Sequence, residues 1–146
     1  MRLSTKGRYA TRILLCIARF DKEEQPVSKK RISEAEGISV DYIEQIIVPL
    51  KNAGLVRSIR GLRGGFHLSR TPEKISVLDI LMASEGSVSL VGCLSDGCSM
   101  ADSCVTQKVW RGASELLKDY FLGITLQDLL DDHAKLQEEK PLTFEI

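Results

Sequence analysis

The sequence offers little with which to do catalysis. It has two histidines, His67 and His133, and none of the nucleophile, metalloprotease or phosphate-loop signatures. No spacing suggests paired carboxylates lining a cleft, so an enzyme is not expected. Proline is confined to Pro26, Pro49, Pro72 and Pro141, with no low-complexity tract and no internal repeat, which excludes a linker-rich or solenoid chain. No apolar run approaches the ~18 residues that a membrane span needs. The opening Met1-Arg2-Leu3-Ser4-Thr5-Lys6 lacks the apolar core of a secretory signal. The expected location is therefore the cytoplasm, with no membrane partner.

Net charge is also lacking, but the formal zero is an average over two unlike halves. Residues 1–75 hold 15 Lys and Arg against 8 Asp and Glu, and the remainder holds 5 against 12. A basic half followed by an acidic one points to a polyanion-binding module joined to a sensing or oligomerisation module.

Cysteine is scarce except in one place. Three of the four fall in Cys93-Leu-Ser-Asp-Gly-Cys98-Ser-Met-Ala-Asp-Ser-Cys104, a spacing of C-x4-C-x5-C among small polar residues. Such a loop can curl until three sulfurs serve one metal ion or iron–sulfur cluster. In a reducing compartment, clustered thiols signal metal or redox chemistry more often than structural disulfides. A zinc site or a thiol switch is the other reading, although zinc asks for four nitrogen or sulfur ligands. Cys16, set among Leu and Ile, reads as a small core residue.

Residues from about Gly7 to Phe20 carry a helical stripe of Ala10, Ile13, Leu14, Ile17 and Ala18, with Arg8, Arg12 and Arg19 available to phosphates. Ser28 opens a short helix, Lys29 to Glu36, with Ile32 and Ala35 inward, and Gly37 stops it. Ser39 caps a second helix from Val40 to about Ala53, its apolar face being Val40, Ile43, Ile47 and Leu50. Its solvent face presents Ser39, Asp41, Tyr42, Glu44, Gln45 and Lys51, while Pro49 conflicts with a straight helix. This is a helix-turn-helix pattern. Two strands, Leu55–Ile59 and Phe66–Leu68, then flank a glycine- and arginine-rich loop. That is a β-wing, with Arg60 and Arg63 placed to enter a minor groove. His67 reads as structural.

Ser76 with Asp79 caps a helix from Val77 to Glu85, whose Leu78, Leu81 and Met82 should pack on the first helix. The longest helix, from Val105 to Leu122, has one apolar stripe of Val109, Ala113, Leu116 and Tyr120. A second stripe holds Trp110, Leu117 and Phe121, so a dimer seam is expected. Thr125 with Asp128 caps a short helix, Leu126–Leu130, and Leu142, Phe144 and Ile146 alternate as an edge strand or a loose tail. The fold class is mainly α with a small β-wing. A winged helix-turn-helix domain spans 1–86, a cysteine loop 87–104, and a dimerisation helix and tail 105–146.

The opening Met1-Arg-Leu-Ser-Thr-Lys-Gly-Arg-Tyr-Ala10, Gly37-Ile-Ser-Val-Asp-Tyr-Ile-Glu-Gln45, Ala53-Gly-Leu-Val, Ile59-Arg-Gly, Gly64-Gly65, Val109-Trp110 and Ile124-Thr-Leu-Gln-Asp-Leu129 together resemble the Rrf-two family of bacterial winged-helix repressors. Within it, the chain resembles the iron–sulfur cluster regulators (IscR-like). The resemblance implies a homodimer on a palindromic double-stranded DNA operator. Ser39, Tyr42 and Gln45 would read bases, Glu44 would couple cluster state to sequence preference, and Arg60 would reach the minor groove. It implies a cluster on Cys93, Cys98 and Cys104, with [2Fe–2S] favoured over [4Fe–4S]. The first cysteine gap is one residue shorter than in those relatives, and Gln107 stands where they carry a histidine ligand. The fourth ligand is open among Asp96, Asp102, Gln107, a partner's carboxylate and an exogenous thiol. An aspartate on the first helix ligates in relatives that sense nitric oxide, and its place is taken here by Arg8. An alternative within the family is control by a protein partner, as in the CymR-like regulators that bind cysteine synthase.

Overall fold

Five of the six helices described begin on a hydroxyl side chain, and these caps set the chain's directions. A computed structural model describes residues 3–21 and 25–139. Helix α1 (Thr5–Phe20) starts where Ser4 accepts from the Gly7 N–H, two residues earlier than the apolar stripe alone indicates. Ser28 caps α2 (Lys29–Glu36) and Ser39 caps α3 (Val40–Asn52), with Gly37 between them at φ 65°, a conformation that costs glycine nothing. Helix α4 (Val77–Glu85) and helix α6 (Leu126–Glu138) each carry the full capping box expected, Ser76 with Asp79 and Thr125 with Asp128. Only α5 (Val105–Leu122) begins on a thiol, that of Cys104.

The core is organised on α1, where Ala10, Ile13, Leu14, Cys16 and Ile17 have no exposure. Helices α2, α3, α4 and α6 and the second wing strand all pack on it. From α3 come Ile43, Ile46, Ile47 and Leu50, all buried; Ile46 takes the inward place expected of Val40, which is 38% exposed. Ala35 is likewise exposed, since eight residues of α2 present one narrow inward edge, held by Ile32. From α4 come Ile80 and Leu81, whereas Met82 faces solvent. Pro49 sits inside α3 without ending it. The bond it cannot donate belongs to the carbonyl of Gln45, an exposed residue that water can serve.

The wing is an antiparallel pair, β1 (Val56–Ile59) with β2 (Gly65–Leu68), in register Val56–Leu68 through Ile59–Gly65. Val27 exchanges two backbone hydrogen bonds with Phe66, both of 2.9 Å, and so anchors the wing's base beside α2. Asp21 fastens the other side. Its own N–H caps α1, its carboxylate accepts the Leu68 N–H at 2.9 Å, and it pairs with His67 Nδ1. His67 is structural, as expected.

Helix α6 is longer than the five residues expected, because Leu129, Leu130, His133 and Leu136 continue the helical spacing after Leu126. Leu126 is fully buried and its N–H donates to Ile75, while Val77 donates to Ile124. The first turn of α6 therefore belongs to the same core as α1. The alternating Leu142, Phe144 and Ile146 lie outside the described residues. Asp21→Ala leaves a partly buried N–H and His67 without their acceptor. It should cost about 2 kcal/mol, seen as a lower urea midpoint with an unchanged slope.

Candidate nucleic-acid interface and cysteine loop

Part of the basic half's charge lines one cleft. The N-terminus of α2, the outer side of α3 and the wing enclose a cleft of about 650 Å³ lined by Lys29, Lys30, Lys51, Arg60 and Glu44. Ser39 and Gln45 are exposed on α3, Arg60 and Arg63 are exposed at the wing tip, and Arg8 is exposed on α1. Among the described residues no ion pair engages Arg8, Arg60 or Arg63. Arg8 donates to the Thr5 hydroxyl at 3.3 Å. Helix α3, capped by Ser39 and followed by a basic wing, is the geometry that places a helix in a major groove and a loop on the neighbouring minor groove.

Four side chains depart from expectation. Tyr42 is not a free reader on the solvent face: its ring is half-buried and meets Tyr9 edge-on, with centroids 5.8 Å apart. A hydroxyl on a ring fixed in this way has a defined reach. Glu44 is paired with Lys29 of α2, so its charge is offset in the free protein. Arg12 and Arg19 both pair with Glu36, at 3.0 and 3.8 Å, and tie α1 to α2.

The cysteine loop is a chain of tight turns. Cys93 lies in a 3-10 turn, Gly92–Leu94, the Cys98 carbonyl accepts from Ala101 at 3.1 Å, and Cys104 immediately precedes α5. The loop is pinned to α5 by Leu90 N–H donating to Ser114 at 3.0 Å. Cys93 is exposed, and Cys98 and Cys104 are half-buried. Among the described residues no three His, Cys, Asp or Glu side chains converge at metal-ligating distance. Gln107 accepts from Arg111 at 3.3 Å. The donor chemistry nevertheless suits a cluster: thiols are the soft ligands that iron–sulfur groups take. The Thr106 hydroxyl, 3.3 Å from Sγ, and the Gln107 N–H hold the Cys104 thiol below its ordinary range. Burial, aided by Glu36, pushes Cys16 up to about 11.

One contact that the sequence could not suggest joins the loop to the rest. Glu85 ends α4 two residues before the loop, and its carboxylate accepts from the Gly7 N–H at 3.0 Å and from the Ser4 hydroxyl. A carboxylate at the positive end of α1 is well placed electrostatically. A separation of 78 positions between Gly7 and Glu85 leaves no local pattern to read.

Comparison with known proteins agrees with this layout. A family model described as an iron-dependent transcriptional regulator, Rrf2, matches residues 3–132. The transcriptional regulator IscR of Pectobacterium carotovorum is 38% identical over 137 residues, covering 93% of this chain and 83% of its own. The solved T. potens IscR is 37% identical with a TM-score of 0.73, covering 94% of this chain and 91% of its own. CymR, the global cysteine regulator of B. subtilis, is also 37% identical at a TM-score of 0.73, covering 90% and 97%.

The four thiols should differ in reactivity. Near neutral pH, metal-free protein pulsed with an alkylating reagent should be labelled first at Cys104. The rate should fall as pH drops through that thiol's lowered pKa, because only the thiolate reacts. Cys16 should label only on unfolding, as read by peptide mass spectrometry.

Proposed function

The chain belongs to the Rrf2 family of transcription regulators, and on that premise we propose that it is a homodimeric repressor whose operator choice follows the state of an iron–sulfur cluster. It is an IscR-like, DNA-binding, winged-helix regulator, and its relatives are regulators rather than enzymes. Cys93, Cys98 and Cys104 would hold the cluster, [2Fe–2S] in preference to [4Fe–4S]. Such a group supplies an electron-accepting centre that oxidants, nitric oxide or iron shortage remove. The observation that carries the reading is the position of three thiols on a loop between the winged-helix core and α5.

The chain's own residues then do the rest. Ser39, Gln45 and the braced Tyr42 face base edges of the major groove, and Arg60 and Arg63 reach the minor groove. Arg8 meets a phosphate. Glu44 accepts from a cytosine amine when Lys29 turns to a neighbouring phosphate, which makes the Lys29–Glu44 pair a sequence filter. Glu85 transmits the loop's position to the start of α1, the helix on which α3 rests. The fourth ligand would be Asp96, Asp102, Gln107, a carboxylate of the second protomer or a small thiol.

The dimer reading rests on α5. Val105, Val109, Leu116 and Tyr120 are 86, 60, 72 and 65% exposed on one helical face, with Gly112 between them; Leu117 and Phe121 turn inward instead. A continuous apolar face of this length is uncommon on a monomer and fits a helix-to-helix seam with a second copy. Leu116→Glu should yield monomers in sedimentation. Their affinity for a palindrome should fall by at least about a hundredfold, while half-site binding is kept, because the second half-site becomes a separate binding event.

The decisive test is anaerobic purification with iron and acid-labile sulfide analysis, a visible spectrum, and selection of bound DNA from random duplexes. Coloured protein containing both elements is expected, made colourless by Cys93→Ala, Cys98→Ala or Cys104→Ala, with loaded and stripped forms selecting different DNA. Protein colourless after reconstitution, selecting the same DNA throughout, would sink the cluster reading. Control by thiol oxidation or by a protein partner would replace it; the equally good superposition on CymR is what favours that alternative.

A further inference from the structure

The wing carries one side chain that neither the core nor the arginines account for. Leu62 is fully exposed, more than any other large apolar residue described. A lone exposed leucine is ordinary on a protein surface. This one, however, is held out by a turn shaped around it. Gly61 adopts φ 115°, and the Gly64 N–H closes the turn onto the Gly61 carbonyl at 3.0 Å. A Cβ at Gly64 would stand 2.4 Å from the Ile59 carbonyl, so the turn is both tight and bare. In Arg60-Gly61-Leu62-Arg63-Gly64-Gly65, leucine is the only uncharged side chain. Ile59, 40% exposed, continues the apolar surface down the strand.

Resting on the DNA-binding reading above, we propose that Leu62 enters the minor groove between Arg60 and Arg63 and makes the wing selective for A·T pairs. The two guanidinium groups draw the tip toward the most negative part of the duplex, the narrow groove of A·T-rich sequence. The walls of that groove are deoxyribose C–H surface, which suits a leucine, and apolar wing or arm residues are a common minor-groove device. Its floor distinguishes the base pairs. An A·T pair shows acceptors alone, which arginine satisfies, whereas a G·C pair adds the guanine N2 amine. Leucine laid against that amine strips its water and offers no acceptor, so G·C is penalised at the step that Leu62 covers. The bare glycines on either side let the backbone come close enough for this contact. The flanking positive charges match a polyanion and not an apolar protein surface, which decides between the two occupants.

The test uses the full-length dimer and the DNA that the wild-type protein selects. The A·T pair protected by the wing in a minor-groove footprint is replaced by G·C and by inosine·C, which keeps the major-groove face of G·C but lacks the amine. Wild type should bind the G·C operator about tenfold more weakly and recover on inosine·C. Leu62→Ala should bind the A·T operator about tenfold more weakly and treat the three duplexes alike. Leu62→Met should retain the preference. The salt slope should be unchanged for Leu62→Ala and shallower by about one for Arg60→Ala. Because Leu62 touches no core, its variants should melt with wild type. Leu62→Ala that binds and discriminates as wild type does would overturn the proposal and leave the leucine to a protein partner. Wild type that selects no DNA at all would overturn the DNA reading itself, and this proposal with it.

Discussion

The constraint on which the molecule depends is the closed packing around α1. Its face of Ala10, Ile13, Leu14 and Ile17 has no exposure, and it meets α2, α3, α4, α6 and β2. A close-packed interior passes displacement along instead of absorbing it. The two ends of this rod are therefore the places where the rest of the chain can act. At its C-terminus Asp21 holds the wing through Leu68 and His67. At its N-terminus Glu85 holds the end of α4, next to the cysteine loop. The wing is held at one end and the start of the cysteine loop at the other.

This arrangement gives the segregated charge a meaning. The basic half is spread over α2, α3 and the wing, and its glutamates are mostly committed: Glu36 to Arg12 and Arg19, and Glu44 to Lys29. The acidic excess of the second half lies on α4, the cysteine loop and α6, where Asp128 is held well ionised by the Thr125 N–H and hydroxyl. Helix α5 fully buries only Ser114, and it leaves Val105, Val109, Leu116 and Tyr120 exposed along one face while Leu117 and Phe121 turn inward. A second protomer on that face would carry a second winged helix with it, which is what a palindromic site requires. The family assignment makes this economical. One chain holds both a winged-helix module and a thiol loop.

Much of the fold was legible because its signals are local. Serine or threonine caps, Gly37, the 3.6-residue stripes and the Gly–Arg wing each act within a few residues, so helix starts and the wing were placed within one or two positions. The misjudged side chains failed for a shared reason. Val40, Ala35 and Met82 lie at the edges of their stripes, and only the neighbour's position decides which edge is covered. Helix α6 outruns its sequence signal because its later leucines are spaced for a helix but partly exposed, so that packing of Leu126 and internal polar pairs, not a deep apolar face, sustain it.

The candidate site divides in the same way. Sequence alone determined which residues could read DNA and which could hold soft metal, since residue type and spacing set that chemistry: Ser39, Gln45, Arg60 and Arg63 on one side, Cys93, Cys98 and Cys104 on the other. Tertiary structure alone decided which of them are free. It braced Tyr42 on Tyr9, closed Glu44 onto Lys29, took Arg12 and Arg19 for Glu36, and left Leu62 fully exposed. It alone brought Glu85 to the start of α1. Pairings of this kind depend on how distant segments meet, and a linear pattern with a reach of one helical turn holds no information about a contact made across 78 residues.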